Sequence, residues 1–188
     1  LRNVAIFNNN LDKIFLLNGN LFGKVNSLSG KNLDISILHE NFKLQGEFSS
    51  RNFAVKDEEM LNLKINQLNT HSDFLQKIIP DLKNNATISR IGKMNLNGRF
   101  DGFFADFVAQ FDLQSDLGKS SLDVRMDLLN GAKNAKYSGN IDLENFELGK
   151  LLNDQKIGKI STKVKISEGS GFATPNGTSN LNGIVKNL

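Results

Sequence analysis

Apolar and polar residues alternate one for one along much of the chain. Leu122, Val124, Met126 and Leu128 are separated by Asp123, Arg125 and Asp127. Tyr137, Gly139, Ile141 and Leu143 are separated by Ser138, Asn140 and Asp142. Successive side chains on a β-strand point to opposite faces, so each segment has one apolar and one polar side. The pattern predicts antiparallel sheet with a single apolar face. Strands are expected over residues 4–7, 13–18, 21–25, 33–38, 42–49, 52–56, 61–67, 87–91, 93–102, 106–114, 120–129, 135–143, 160–166 and 180–185. Turn-forming residues separate them at 29–32, 116–119 and 130–134. Strands at a spacing of about ten residues with such turns fit a meander, sandwich or barrel.

Two segments break the period of two. Residues 71–81 place Phe74, Leu75, Ile78 and Ile79 at helical spacing, with Ser72 as N-cap and Pro80 as stop. Residues 148–154 carry Leu148, Leu151 and Leu152 and predict a second short helix. Both are too short to be stable alone, so they are expected to plug an end or lie along an edge of the sheet.

The chain also carries a faint repeat. Leu17-Asn18-Gly19-Asn20-Leu21-Phe22-Gly23 resembles Leu96-Asn97-Gly98-Arg99-Phe100-Asp101-Gly102. Leu44-Gln45-Gly46 and Leu181-Asn182-Gly183 echo its first half. Glycine on an apolar strand face leaves room for a bend or a close approach. Leu-x-Gly is also common in any β protein. Taken as a repeat, it predicts an array that adds hairpins along an axis rather than closing on itself.

Charge and chemistry narrow the function classes. The 23 basic and 20 acidic residues among 188 leave a net charge of +3, too balanced for a nucleic-acid footprint. Cys is absent, so there is neither a disulfide framework nor thiolate chemistry. No apolar run approaches the roughly 18 residues of a spanning helix. The first residue is not Met, and the chain reads as a segment excised from a longer one. His39 and His71 are far apart, and no metal-ligand spacing, phosphate-binding loop or nucleophile elbow occurs. No enzyme activity, metal or cofactor is therefore expected. Asp112, Asp123, Asp127 and Asp142 lie on the polar face, where a glycosidase-like carboxylate pair or a plain solvated strand surface accounts for them. Lys156, Lys159, Lys163 and Lys165 suit either anionic headgroups or an ordinary charged surface.

The apolar face has its own signature. Phe occurs 14 times against one Tyr and no Trp. A membrane-spanning β-barrel places Trp and Tyr girdles at the headgroup layer, so the composition argues against one. Phe107, Ala109, Phe111 and Leu113 form a uniform apolar stripe. It suits first the core of a closed β-sandwich, where two such faces interdigitate, and as the alternative a groove with apolar walls. The pattern alone does not choose.

Residues 91–188 resemble the TamB branch of the AsmA-like family. The likeness is carried by Leu96-Asn97-Gly98-Arg99-Phe100-Asp101-Gly102, the paired strands at 107–118 and 121–128, and Tyr137-Ser138-Gly139-Asn140-Ile141-Asp142-Leu143. Phe146-Glu147-Leu148-Gly149-Lys150-Leu151-Leu152, Ile157-Gly158-Lys159-Ile160-Ser161-Thr162 and Glu168-Gly169-Ser170-Gly171 complete it. The strand, short helix with Pro80, and strand around residues 63–82 resemble that family as well. The resemblance implies an all-β protein with a long curled antiparallel sheet, folded like a taco and carrying one or two short helices. Such proteins are anchored in the inner membrane of double-membrane bacteria and cross the periplasm. Their hydrophobic groove is thought to conduct phospholipid to the outer membrane, and a part in inserting outer-membrane β-barrel proteins is proposed. The membrane anchor of that family lies outside this sequence.

On this reading the groove lining is Phe100, Phe107, Phe111, Leu122, Val124, Met126, Ile141, Leu143, Val164 and Ile166. The expected partners are phospholipid acyl chains and an outer-membrane β-barrel. Unpaired edge strands are expected to drive self-association of the fragment. The competing readings are a closed sandwich that binds carbohydrate or protein, and a glycan-active enzyme on a β scaffold.

Overall fold

The computed structural model describes residues 13–24, 26–52, 55, 58–79, 82–172 and 174–187. Alternation becomes strand over most of the described residues. The strands are β1 (Phe15–Lys24), β2 (Ser27–Ile37), β3 (Lys43–Arg51), β4 (Met60–His71), β5 (Lys93–Phe103), β6 (Asp106–Ser115), β7 (Gly118–Asp127), β8 (Lys136–Glu147), β9 (Lys159–Ser170) and β10 (Thr178–Asn187). They pair in chain order as one antiparallel sheet of ten strands. This is the most local way to join antiparallel strands, since each needs only a short loop to reach its neighbour. The sheet is open and slightly curved, and it is not a closed barrel. Among the described residues no second sheet faces it, so the fold is not a sandwich.

Several local expectations are corrected. The strands expected at 13–18 and 21–25 are a single strand in the described residues, β1 (Phe15–Lys24), with a register shift between Asn18 and Asn20 in place of a turn. The predicted turn at 29–32 lies within β2, where pairing with β3 slips between Gly30 and Leu33 and Asn32 takes a φ of 53°. A bulge uses the same positive-φ residues as a turn, so Asn and Gly signal both. The strand expected at 87–91 is instead a single helical turn (Ala86–Ser89), because the Asn85 side chain accepts from the backbone N–H groups of Thr87 and Ile88 at 3.1 Å. The expected strand 4–7, most of 52–56, Val25 and the stop at Pro80 lie outside the described residues.

The short helices are α1 (Ser72–Ile78), α2 (Ala86–Ser89) and α3 (Leu148–Leu152). The N-cap of α1 is His71 rather than Ser72. The His71 Nδ1 accepts from the Asp73 N–H at 3.2 Å. Ser72 is fully buried and ties α1 to the segment after α2. Its hydroxyl donates to the Ser89 carbonyl at 3.1 Å and accepts from the Gly92 N–H at 3.2 Å.

Strands alternate in direction, so β4 and β8 finish at the same end of the sheet. The α1 and α2 helices follow β4 and α3 follows β8, which gathers all three at that end. Arg90 links the two groups by donating to the Leu151 carbonyl at 3.1 Å. Phe74 and Ile78 of α1 bury Ile37, supported by Phe42, Leu75 and Ile79. Leu117 and Phe146 are buried at the same end. A compact apolar cluster therefore sits beneath the helices, and the other end carries loops with one 3-10 turn at Ala132–Asn134.

Candidate functional site

The pairing register turns the alternation into rows that run across the strands. Phe111 faces Leu122, Leu122 faces Ile141, and Ile141 faces Val164. The next row toward the loop end runs Phe100, Ala109, Val124, Gly139, Ile166. Beyond it lie Phe107, Met126 and Tyr137, and on the helical side Leu143 stands between Ser120 and Thr162. All ten residues expected to line the groove thus share one face of β5 to β9. Each is half-buried, screened by its neighbours but covered by no described layer.

The face extends further than those ten residues. Ile65 and Leu63 of β4 pair with Gly98 and Phe100, and Gly46 and Phe48 of β3 continue both rows. Leu33 and Ile35 carry the face onto β2. Leu181 and Val185 carry it onto β10. The same alternation marks these positions in the sequence, but only the continuous pairing shows that they belong to one surface. At about 4.8 Å per strand, ten strands make it roughly 40 Å wide.

The glycines of the faint repeat acquire a place here. Gly46, Gly98 and Gly183 lie in a single row with Ile65, Phe111, Leu122, Ile141 and Val164. A methyl group at Gly98 would collide with the Gln110 carbonyl oxygen and the Phe111 ring. Gly139 meets the Asp123 carbonyl of β7 in the same way. The Phe111 ring leans over the gap at Gly98, while at Gly46 and Gly139 the neighbouring backbone closes in.

The opposite face is held by cross-strand polar pairs. Lys163 meets Asp142 at 2.6 Å, Arg125 meets Asp106 at 3.0 Å, and Lys64 meets Glu47 at 3.5 Å. Ser121 donates to Asp112 at 2.6 Å, and Asn62 to Asp101 at 3.0 Å. The hydrogen bond from Gln45, aided by Lys43, holds the Asp34 carboxyl below its usual range. Partial desolvation pushes the Glu147 carboxyl up, but hydrogen bonds from Lys150 and Lys159 outweigh it and leave the net shift downward. Asp142 raises the Lys163 ammonium above its usual value by accepting its hydrogen bond. A shallow hollow of about 890 Å³ is lined by Lys64, Arg99, Asp112 and Asp142 together with Ile65 and Phe111. The aspartates considered as a carboxylate pair are thus spread over a solvated surface, with Asp112 and Asp142 already engaged.

Chemically, the apolar face offers contact and exclusion of water. Its few polar groups are mostly satisfied internally. Thr162 donates to the Ile184 carbonyl at 3.0 Å, and the Tyr137 hydroxyl lies 2.6 Å from that of Ser179. No buried side-chain nitrogen or oxygen among the described residues lacks a hydrogen-bond partner.

The edge strands differ from the interior. On β10, Leu181, Ile184 and Val185 are all exposed, with Ile184 on the polar side opposite Lys163. On β1, Leu16 and Phe22 likewise add apolar side chains to the polar side, opposite Ser36 and Ser29. Among the described residues no helix is long and apolar enough to cross a membrane. Comparison with protein-family models, curated proteins and solved structures finds no match.

Proposed function

We propose that the apolar face carries phospholipid acyl chains, and that the chain is a segment of a periplasmic lipid conduit serving outer-membrane biogenesis. One observation supports this reading above the others. Ten strands present a continuous apolar surface, and no described layer covers it. A sandwich would spend such a face on its partner sheet. Here the helices cover only one end, and every large side chain in the rows from Phe111 to Val164 and from Phe100 to Ile166 is left half-buried, only the small Ala109 being buried among them. Each acyl CH₂ withdrawn from water onto such a surface gains about 0.8 kcal/mol. Transfer down a gradient makes and breaks no covalent bond, so it asks for lining and a wet exterior rather than catalytic residues.

The resemblance to the TamB branch supplies the setting: an inner-membrane-anchored protein whose sheet crosses the periplasm, with an outer-membrane β-barrel as partner. The test is mass spectrometry of organic extracts from the purified chain. Co-purifying phospholipid at near-stoichiometric amounts is expected. Extracts free of lipid, from folded protein expressed in a double-membrane bacterium, would contradict the proposal.

A further inference from the structure

The two ends of the apolar face are built differently, and the difference gives the face a direction. At the helical end Ile37, Phe74, Ile78, Leu117 and Phe146 are buried, so packed side chains close part of the surface, while Ile14, Leu38 and Leu152 stay exposed outside that packing. At the loop end it continues outward. The Phe107 ring stacks on Phe100 at 4.8 Å, and Phe104 in the β5–β6 turn follows at 5.9 Å from Phe100. Farther along, Phe172 in the β9–β10 loop stands edge-on to Tyr137 at 5.8 Å. Phe104 is 51% exposed, Phe172 47%, and Leu129 in the β7–β8 loop 65%. Successive loops at one end thus present large apolar side chains to solvent, and two of those side chains touch the face itself. Exposed apolar groups gathered along one rim mark a surface that something apolar crosses or covers.

Charge adds a second observation. The β7–β8 and β9–β10 loops lie side by side, tied by the Gly171 N–H donating to the Ala135 carbonyl at 3.0 Å. Lys133 sits in the first of these loops, and Lys136 begins β8 on the polar side. Asp127 stands opposite Lys136 in the register and Glu168 lines a hollow with both, so the lysines share this end with carboxylates. Asp106 pairs with Arg125 at 3.0 Å, and Asp127 accepts from the Leu129 N–H at 3.0 Å. Neither lysine forms an ion pair with a carboxylate among the described residues. Apolar tips on one side and two lysines within ion-pair distance of no described carboxylate on the other match a molecule with an acyl tail and an anionic head.

We infer that phospholipid enters and leaves the face sideways across the loop end, its tail passing Phe104, Leu129 and Phe172 and its phosphate lying beside Lys133 and Lys136. This rests on the lipid-carrying reading above and adds the portal and the orientation. The packed part of the helical end is the wall against which the tail stops.

The test places a photo-crosslinking amino acid at one position at a time in the full chain. Phe111 reports the floor, Phe104, Leu129 and Phe172 the loop end, and Leu38 and Leu152 two of the exposed apolar positions of the helical end. The probe is phosphatidylglycerol carrying a labelled headgroup, supplied in phosphatidylcholine vesicles. Adducts are expected at Phe111 and at the loop-end positions, with Leu38 and Leu152 silent. Lys133→Glu combined with Lys136→Glu is expected to slow the appearance of the Phe111 adduct several-fold, both being surface changes. An adduct at Phe111 accompanied by equal or stronger labelling at Leu38 and Leu152 would overturn the portal while leaving the conduit standing. Absence of any adduct at Phe111 would overturn the conduit, and the portal with it.

Discussion

The ring of Phe111 leans over Gly98 on the neighbouring strand, leaving no room for even a methyl group there. The backbone of Gly98 sits at a φ of 154°, which side-chain-bearing residues rarely adopt. Gly98→Ala should therefore cost about 2 kcal/mol in urea unfolding, from strain and displaced packing together. Gly158→Ala is the control. Nothing lies within 4 Å of a methyl at that position, and its change should stay within about 0.5 kcal/mol.

The folding core and the proposed lipid face are separate places, and truncations should tell them apart. Phe74 is buried between α1 and the end of the sheet, so Phe74→Ala should cost about 3–5 kcal/mol. Phe107 is half-buried with one stacked partner, and Phe107→Ala should cost only about 1–2 kcal/mol. Equal losses in thermal or urea unfolding would mean that the face is packed as tightly as a core.

Acid should weaken the fold through the carboxyls held below their usual values. Asp34 and Glu147 are both lowered in the folded state, relative to ordinary values of 3.8 and 4.5. Their contribution is complete above those values and is lost as pH falls through the lower folded ones. Lys163 is raised from 10.5, so its contribution is present below that value and disappears only on strong alkalinisation. Melting temperature should be flat between these limits and fall below pH of about 4.5. Glu147→Gln should flatten part of the acid limb, by a small amount because the pair is solvated.

The β10 edge should recruit other strands. Its outer side has no partner among the described residues, and Leu181, Ile184 and Val185 are exposed on it. Unpaired apolar edges template strand addition. Sedimentation should show concentration-dependent association, and Ile184→Lys should reduce it. Association unchanged by that substitution would place the contact elsewhere.

Much of the fold was legible because its rule is local. Leu122, Val124 and Met126 alternate with Asp123, Arg125 and Asp127, and nothing distant was needed to read a two-faced strand there. Legibility failed where one local signal serves two geometries. Asn18-Gly19-Asn20 and Ser29-Gly30-Lys31-Asn32 have turn chemistry but form bulges, because the partner strand continues past them. Thr87 and Ile88 favour strand by side-chain shape, yet the Asn85 cap fixes a helical turn. That the ten lining residues share one face follows from parity alone. The openness of their face depends on which elements pack together, which alternation does not encode. Phe104 and Phe172 escaped notice because they lie in loops and join the face only through their contacts with Phe100 and Tyr137.

The central claim is that one side of this sheet meets lipid and the other meets water. The most direct measurement scans a photo-crosslinking residue through Leu122, Asp123, Val124, Arg125, Met126 and Asp127 in the presence of phospholipid. Adducts should appear at Leu122, Val124 and Met126 and be absent at Asp123, Arg125 and Asp127. Val124→Asp should leave the protein folded, because the uncovered face lets water reach the charge, and should suppress the neighbouring adducts. Adducts without alternation, or none at any of the six positions in folded protein, would contradict the account.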